Sequence, residues 1–312
     1  MVQSSGQVGT DMLTFQGVQI ADSFAEAFPM TAARAIVTAD TPAWAETAGR
    51  LMSGYATSVI GCDAEAGIER LLRPDETPDG RPGVSVLLFA FSRDALEKAL
   101  TNRVGQCVMT CPTTACYNGL PVGEKAIQVG GRLRYFGDGW QISKRLDGRR
   151  FWRIPVMDGH FTCEDAFGTT KGVAGGNIIL LGADRASTLS AAEAAVEAMR
   201  GIPDVILPFP GGIARSGSKV GSKYKALRAS TNTAFAPALR GLVETYLPPG
   251  ADCAYEIVID GLTLEAVEQA TTAGLRAGCR EGVIQITAGN YGGKLGPFHI
   301  RLHDVLERAG GR

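Results

Sequence analysis

One order of strand-like and helix-like patterns occurs twice along the chain. In the N-terminal half, apolar runs typical of buried strands lie at residues 34–39, 57–62, 84–91 and 106–110. In the C-terminal half, the corresponding runs lie at residues 177–182, 204–209, 253–260 and 283–289. Helical patterns follow the first and third run of each set, which gives the order β-α-β-β-α-β of the ferredoxin-like motif. The sequence therefore predicts two lobes built on one plan.

Capping residues indicate where the four helices begin. Thr41 is a typical N-cap for the first helix, and Ser92 is one for the second. A capping box that begins at Ser190 is expected to open the third helix, and Thr263 the fourth. The apolar stripe expected on the first helix consists of Trp44, Ala48, Leu51 and Met52.

These patterns predict an α+β fold in which helices cover one face of an antiparallel sheet in each lobe. We expect two ferredoxin-like lobes related by internal duplication, with a β-hairpin insert between them. The expected boundaries are a polar leader at 1–13, an N-terminal lobe at 14–122, the insert at 123–170 and a C-terminal lobe at 171–312.

The predicted insert contains three Asp-Gly pairs, which begin at Asp138, Asp147 and Asp158 and lie between strand-like runs. Asp-Gly between such runs is a strong hairpin signal. The hairpins either pack on their own chain or form an oligomer contact with aromatic anchors such as Phe151 and Trp152.

Length and composition narrow the function classes. The 312 residues suffice for about two domains, and 45% apolar with 20% charged residues is ordinary for a globular protein. The formal net charge is −1 with Lys and Arg spread along the chain, so no nucleic-acid partner is expected. The N-terminus lacks a basic start and an apolar run, and no apolar window approaches the length of a membrane span. We expect a cytoplasmic protein with no membrane partner.

The seven cysteines follow no disulfide-framework spacing, so reduced thiols are expected. Cys107, Cys111 and Cys116 fall close together, but their spacing matches no common zinc or iron–sulfur pattern. We expect no metal site.

Glu256 is the strongest candidate for chemistry. It lies in the strand-like run 253–261 and shares a face with Ala254, Val258 and Asp260. Burial on a partly apolar face would raise its pKa and make it a proton donor near neutral pH. The alternative is a glutamate that pairs with a cation or faces water.

Four segments, 109–119, 172–177, 208–223 and 288–296, lie at the ends of predicted strands, and those of the C-terminal half are rich in glycine. Glycine lets backbone N–H groups approach a ligand closely, although each segment also fits plain turn chemistry. None matches a phosphate-binding or dinucleotide fingerprint, so no nucleotide is expected. Lys219, Lys223 and Lys294 add cations that could hold anionic ligand tails.

Ten ordered blocks resemble those of the formylmethanofuran:tetrahydromethanopterin formyltransferase family, from about Thr14 to Asp304. They are FAEAFPMTAARAIVTA, TSVIGCDAEAGIE, PDETPDGRPGV, VGQCVMTCPT, FGDG, VAGGN, PFPGGI, SKVGSK, YEIVIDGL and AGNYGGKLG. The resemblance implies two similar α/β lobes, a homotetramer, and transfer of a formyl group between the amine of a methanofuran-type carrier and N5 of tetrahydromethanopterin. These two carriers would be the co-substrates, and the resemblance implies no other cofactor.

The resemblance also implies that Glu256 is the catalytic glutamate, since it matches the family's residue in the YEIV block. From the chemistry of the loops, we expect Asn177 or Asn290 to stabilise the oxyanion. The candidate substrate-binding residues are Gly175, Gly176, Asn177, Gly211, Gly212, Ser218, Lys219, Asn290, Tyr291 and Lys294.

Two further readings concern the setting of the chain. Relatives in methylotrophic bacteria work as one subunit of a formyltransferase/hydrolase complex in formaldehyde oxidation to formate, and the ordinary 20% charge content favours this setting over highly acidic archaeal relatives. The alternative is a non-catalytic binding or scaffold subunit that keeps only the fold.

Overall fold

The computed structural model describes residues 13–124 and 126–310. These residues form two compact units: the N-terminal unit comprises 30–172, and the C-terminal unit comprises 13–29 and 173–310. The division differs from the predicted boundaries, because the segment 123–170 belongs to the N-terminal unit and 14–29 to the C-terminal one.

The secondary structure mixes strands and helices, as predicted. The strands are β1 Leu13–Phe15, β2 Val18–Ile20, β3 Phe24–Thr38, β4 Glu65–Leu72, β5 Gly83–Ala90, β6 Ala115–Asn118, β7 Ile142–Leu146, β8 Arg149–Val156, β9 Gly159–Glu164, β10 Thr170–Gly182, β11 Val205–Ile206, β12 Lys219–Val220, β13 Ala229–Ser230, β14 Cys253–Gly261, β15 Val283–Thr287 and β16 Phe298–Arg301. The α-helices are α1 Pro42–Ser53, α2 Arg93–Arg103, α3 Val129–Leu133, α4 Arg185–Arg200, α5 Leu264–Gly278 and α6 Leu302–Gly310. Within the described residues, no helix is long and apolar enough to cross a bilayer.

The sheet of the N-terminal unit has the strand order β4-β5-β3-β6-β9-β8-β7. All neighbours are antiparallel except β6 and β9. Helices α1 and α2 contribute Ala48, Met52, Leu96 and Leu100 to the core that the sheet also lines. The arrangement buries the apolar face of each helix against the sheet.

Helix α1 begins as predicted but presents a different face to the core. The Thr41 hydroxyl accepts a hydrogen bond from the Trp44 N–H at 3.3 Å, and Pro42 starts the helix. The buried residues are Ala45, Ala48, Gly49 and Met52. The predicted apolar stripe was wrong for Trp44 and Leu51, which are 42% and 58% exposed.

Two predicted strands of the N-terminal half are absent from the structure. Residues 57–62 form turns, in which the Ser58 carbonyl accepts the N–H groups of Gly61 and Cys62, and pairing begins only in β4. Residues 106–110 instead continue α2 through a π-helical turn, Val104–Val108, so the fourth strand is β6. In both cases the backbone bonds locally, since the Met109 N–H donates to the Val104 carbonyl at 2.8 Å, and local β propensity is overridden.

The three Asp-Gly pairs have different outcomes. Asp147 joins β7 to β8 and Asp158 joins β8 to β9 as hairpin turns, as predicted. Asp138 instead follows a short 3₁₀ turn and adopts the left-handed conformation, at φ 50°. The hairpin predicted at Asp138 was therefore wrong. The anchor Trp152 donates its indole N–H to Asp165 at 2.6 Å and packs on its own unit.

The sheet of the C-terminal unit has the strand order β1-β2-β15-β10-β14-β11. Helices α4 and α5 cover one face, where they pack on Ile178, Leu180, Ile257 and Ile259. Thr263 caps α5 as predicted. The capping box at Ser190 was wrong, because α4 begins earlier at Asp184, whose carboxylate accepts two backbone N–H groups.

The opposite face of this sheet carries the functional candidate. Register pairs Ile179 of β10 with Glu256 of β14, and directly paired residues of antiparallel strands lie on one face. The long segment 207–252 covers this face, since its residues Phe235 and Leu247 pack on Ile179 and Leu181. Glu256 therefore lies under irregular chain, on the side of the sheet away from the helices.

Gly176 is a packing position in β10. A β-carbon there would lie 2.7 Å from Val267 Cγ1 and 3.2 Å from the Ile259 carbonyl oxygen. We expect Gly176→Ala to lower the free energy of unfolding by about 1–3 kcal/mol through overpacking, measured by urea denaturation followed by circular dichroism. Gly61→Ala is the matched control, because nothing lies within 4 Å of its β-carbon position. A Gly176→Ala protein as stable as the control would contradict this packing role.

Candidate active site

Glu256 is held in the middle of β14 by neighbours on both sides. Ile179 of β10 lies opposite it on one side. On the other side, the Ala214 N–H donates to the Glu256 carbonyl at 2.8 Å, and the Glu256 N–H donates to the Ala214 carbonyl at 3.0 Å. The strand pairing therefore fixes the backbone from which this carboxyl group projects.

A pocket of about 190 Å³ opens at Glu256. Its floor comes from the sheet and its walls from the covering segment. The lining residues are Ile179, Ala254, Tyr255 and Glu256 of the sheet, with Ala214, Arg215, Ser216, Gly217, Thr231, Asn232, Phe235, Ala236 and Pro237 of the segment.

Burial controls the chemistry of the Glu256 carboxyl group. The side chain is half-buried, because it opens on the pocket, and desolvation raises its pKa to about 7. Among the described residues, no cation or hydrogen-bond donor reaches the carboxylate to offset this effect. The predicted rise in pKa is confirmed, and the group is an acid poised near neutrality.

Tyr291 lies within electrostatic range of Glu256. Burial raises the pKa of the Tyr291 hydroxyl, and the charges of Glu256 and Glu26 raise it further. The hydroxyl is therefore a neutral hydrogen-bond donor at physiological pH. Of the predicted binding residues, Tyr291 is the one with an electrostatic link to the candidate acid.

Glu26 organises the loop that carries Tyr291. Its carboxylate accepts four backbone N–H groups, from Tyr291 at 2.6 Å, Gly293 at 3.0 Å, Leu295 at 2.5 Å and Gly296 at 2.6 Å. Burial alone would raise the pKa of Glu26, which is 1% exposed, but these four donors bring it below its ordinary value. Sequence reasoning missed this residue, because its partners lie about 270 positions further along the chain.

Asn177 and Asn290 hold the same loop through its backbone. The Asn177 amide donates to the Gly289 carbonyl at 3.3 Å and accepts the Gly289 N–H at 2.6 Å. The Asn290 amide donates to the Phe24 carbonyl at 3.2 Å and accepts the Gly292 N–H at 3.0 Å. Neither residue lines the pocket. Both amides are engaged in building the loop, and the oxyanion role expected for one of them stays a prediction.

Gly175 and Gly176 form an irregularity in β10. Register shifts between Val173 and Gly176, and Gly175 adopts φ +84° while its N–H donates to Asp260 at 2.9 Å. Both glycines lie in the strand rather than in the pocket lining. Their observed role is backbone geometry and packing.

The remaining predicted binding residues are not among those that line the pocket. Gly211 and Gly212 form a turn just before Ala214, with positive φ of 65° and 89°. The Lys219 ammonium donates to the Thr233 hydroxyl at 2.8 Å. Ser218 and Lys294 are exposed. Roles of these residues in substrate binding stay predictions.

Several pocket residues were missed by the sequence reasoning. Arg215, Ser216 and Gly217 lie inside the glycine-rich segment 208–223, where the predicted binding residues were Gly211, Gly212, Ser218 and Lys219. Asn232 and Phe235 lie between the recognised blocks, so no local signal indicated them. Among residues 13–124 and 126–310, no group of three His, Cys, Asp or Glu side chains is placed to hold a metal ion.

Models of known protein families match both halves of the chain. The family model described as formylmethanofuran-tetrahydromethanopterin formyltransferase matches residues 13–156, and the model described as FTR, proximal lobe, matches residues 159–305. The chain belongs to the formylmethanofuran-tetrahydromethanopterin formyltransferase family. The resemblance carried by the ten sequence blocks is thereby confirmed.

Members of this family are similar along their full length. Formylmethanofuran--tetrahydromethanopterin formyltransferase of Methylococcus capsulatus is 55% identical over 298 residues, which is 94% of this chain and 100% of that protein. A solved structure of the formyltransferase of Methanosarcina barkeri superposes with a TM-score of 0.89 at 47% identity and covers 94% of this chain and 100% of its own. A chain in the X-ray structure of the formyltransferase/hydrolase complex of Methylorubrum extorquens with methylofuran gives a TM-score of 0.91 at 52% identity, with 95% and 99% covered.

Because the Glu26 carboxylate binds four backbone N–H groups of the loop 291–296, we expect this loop to lose order when the carboxylate is replaced. In Glu26→Gln, one acceptor oxygen becomes an NH₂ group that faces backbone donors. We therefore expect the free energy of unfolding to fall by about 1–3 kcal/mol. Hydrogen exchange at Tyr291–Gly296 should accelerate relative to the unaltered protein. Glu281→Gln, at an exposed position, is the control.

The pH dependence of this effect follows from the direction of the pKa change. Because folding lowers the pKa of Glu26, its stabilisation is present above the pKa of an unfolded glutamate, about 4.3, and is lost as pH falls through the folded value. The stability difference between Glu26→Gln and the unaltered protein should therefore shrink in acid. Equal exchange in the two proteins at pH 7 would contradict the role given to Glu26.

Proposed function

We propose that this chain is a formyltransferase that moves a formyl group between a methanofuran-type amine and N5 of tetrahydromethanopterin in one-carbon metabolism. The observation that carries the proposal is Glu256, a carboxyl group in a pocket whose desolvation raises its pKa to about 7. Membership of the formyltransferase family and the activity named for relatives at 47–55% identity support it.

The reaction explains why such an acid is needed. The amine of one carrier attacks the formyl carbon of the other, and a tetrahedral intermediate forms with negative charge on oxygen. The nitrogen of the departing carrier leaves poorly as an anion, so it must gain a proton as its bond to the formyl carbon breaks. Glu256 donates this proton to the departing nitrogen, and its carboxylate takes up the proton that the attacking nitrogen releases as it becomes the new formamide. The same two transfers run backwards in the reverse direction.

Other residues of the chain position this step. Glu26, Asn177 and Asn290 fix the backbone of the loop 288–296 through the bonds described above, and that loop presents Tyr291 within electrostatic range of Glu256. The neutral Tyr291 hydroxyl can donate to the developing oxyanion. No covalent intermediate on the protein is required, and positioning of the two carriers supplies much of the rate enhancement.

In this proposal the two lobes are duplicated ferredoxin-like units. The support is the spatial order of the strands in each sheet, which is β4-β5-β3-β6 in the N-terminal unit and β11-β14-β10-β15 in the C-terminal unit. In each set the third strand lies between the second and the first, and the fourth flanks the first. The hairpins β7–β9 extend the N-terminal sheet as the insert.

The chain acts as the formyltransferase subunit of a larger assembly in this proposal, in formaldehyde oxidation to formate. The support is the 52% identical chain from a formyltransferase/hydrolase complex with methylofuran. A homotetramer, as implied by the family resemblance, is the alternative assembly. Seven free cysteines among the described residues agree with a reducing, cytoplasmic setting.

Replacement of Glu256 tests the catalytic proposal. Glu256→Gln keeps the size of the side chain but has no acidic proton, so we expect turnover to fall by about 10²–10⁴-fold with the fold retained. Formyl transfer is followed by ultraviolet absorbance with both carriers present and with each omitted, and circular dichroism checks the fold. Glu281→Gln should keep full activity.

The same assay has a pH signature. Above pH 7 the protonated fraction of Glu256 falls, so transfer in the direction that needs the acid should decline through a midpoint near the pKa of about 7. If Glu256→Gln turned over at the unaltered rate, the glutamate would have no part in the mechanism. Binding of both carriers without transfer by the unaltered chain would instead favour a scaffold subunit.

A further inference from the structure

Apolar residues form a large part of the lining of the Glu256 pocket. Ile179 comes from β10, and Phe235, Ala236 and Pro237 come from the covering segment. These four residues are the apolar wall of the pocket. Binding sites recognise rings and alkyl chains through such surfaces, because removal of apolar surface from water is favourable. The wall therefore indicates a bound molecule with an apolar group close to the group that reacts at Glu256.

Phe235 supplies the aromatic ring of the apolar wall. Its side chain is half-buried, because it packs on Ile179 and also lines the pocket. Tyr255 is the other aromatic residue of the lining, but it packs on the core that α4 and α5 cover. Successive side chains of a strand leave on opposite faces, so the Tyr255 ring and Glu256 lie on different faces of β14. A ring bound beside Glu256 therefore contacts Phe235.

Two sets of contacts fix the position of Phe235. Its ring meets the Tyr246 ring edge to face, with centroids 5.7 Å apart and an interplanar angle of 74°. The turn that carries Phe235 is tied to the same stretch of chain, since the Ala234 carbonyl accepts the Tyr246 N–H at 2.9 Å and the Thr245 hydroxyl at 3.3 Å. The ring is therefore preformed, and little entropy is lost in ordering it when a ligand binds.

The size of the pocket limits what can occupy it. Its volume is about 190 Å³, which is below the roughly 300–1,000 Å³ of pockets that hold drug-sized ligands. In a methanofuran-type carrier, a methylene group separates the amine nitrogen from a single furan ring. In tetrahydromethanopterin, N5 is itself a member of a fused ring system. With the reacting nitrogen at Glu256, the pocket therefore has room for the furan ring but not for the fused rings.

We propose that Phe235 is a specificity-determining residue whose ring packs on the furan ring of the amine carrier and directs that carrier to the Glu256 pocket. The inference rests on the proposed function and specifies which carrier the pocket takes. With the furan ring against the apolar wall, the formamide nitrogen lies a methylene group away, beside the Glu256 carboxyl group. The pterin brings its N5 to the formyl carbon from outside the pocket.

Phe235→Leu tests the proposal, because leucine keeps an apolar side chain and removes the aromatic ring. Aromatic pairs stabilise binding beyond the burial of their surface, so we expect the KM for formylmethanofuran to rise about 3- to 10-fold. The contact is the same in the bound substrate and in the transition state, so kcat should stay within about twofold of the unaltered value. Isothermal titration should show a matching loss of affinity for formylmethanofuran and unchanged binding of tetrahydromethanopterin.

Phe15→Leu is the matched control. Phe15 of β1 is also a half-buried phenylalanine of the C-terminal unit, and it is not part of the pocket lining. Its replacement should leave KM, kcat and the affinities for both carriers unchanged. Circular dichroism and the thermal midpoint verify that both variants are folded.

Two small formamides separate contact with a ring from a purely structural role of Phe235. N-furfurylformamide carries the furan ring and N-butylformamide carries an alkyl chain in its place, and both are measured as competitive inhibitors against formylmethanofuran. The unaltered protein should bind the furan compound more tightly, and Phe235→Leu should reduce this preference by about 3- to 10-fold. A side chain that only supported the fold would weaken both inhibitors equally when replaced.

Three results would overturn the proposal. They are a KM of Phe235→Leu for formylmethanofuran within about 1.5-fold of the unaltered value, weaker binding of tetrahydromethanopterin instead of formylmethanofuran, and an unchanged preference between the two formamides. An unaltered chain that binds formylmethanofuran without transferring the formyl group would refute the proposed function alone, since the binding comparisons between variants still decide the role of Phe235.

Discussion

The account depends on the desolvation of one carboxyl group. Glu256 lies on the sheet face away from α4 and α5, where irregular chain rather than a helix covers it. Removing an ionised carboxylate from water without a partner is costly, so the group retains its proton up to about pH 7. The packing that covers β14 therefore also causes the raised pKa that the reaction needs. Backbone pairing of β14 on both sides offsets the free-energy cost of burying the carboxyl group.

Two glutamates of the C-terminal unit show how donors decide the direction of a pKa change. Glu26 is less exposed to solvent than Glu256, yet four backbone N–H groups lower its pKa, whereas the Glu256 carboxyl receives none among the described residues. The first therefore serves as a fixed anion that shapes the loop 288–296, and the second serves as an exchangeable acid. Asn177 and Asn290 share the structural task of Glu26, since their amides bind backbone groups of the same loop.

The sequence predicted the parts that depend on local pattern. Alternation along 253–260 located β14 and the face of Glu256, and Thr41, Ser92 and Thr263 located three helix starts. Two strand predictions failed: residues 57–62 form turns instead of a strand, and the run 106–110 begins inside the π-helical turn Val104–Val108 that continues α2. The role of Glu26 had no local signal, because the backbone donors that its carboxylate binds are remote in sequence.

The protonation state of Glu256 is the most direct test of the central claim. Infrared difference spectra of the unaltered protein and Glu256→Gln, recorded across a pH series, isolate the carbonyl stretch of this one carboxylic acid. The account predicts that the protonated band persists at pH 6 and is half lost near the pKa of about 7. Loss of the band near pH 4.3, the value of a solvated glutamate, would show that Glu256 is an ordinary anion at neutral pH and would contradict its role as the proton donor.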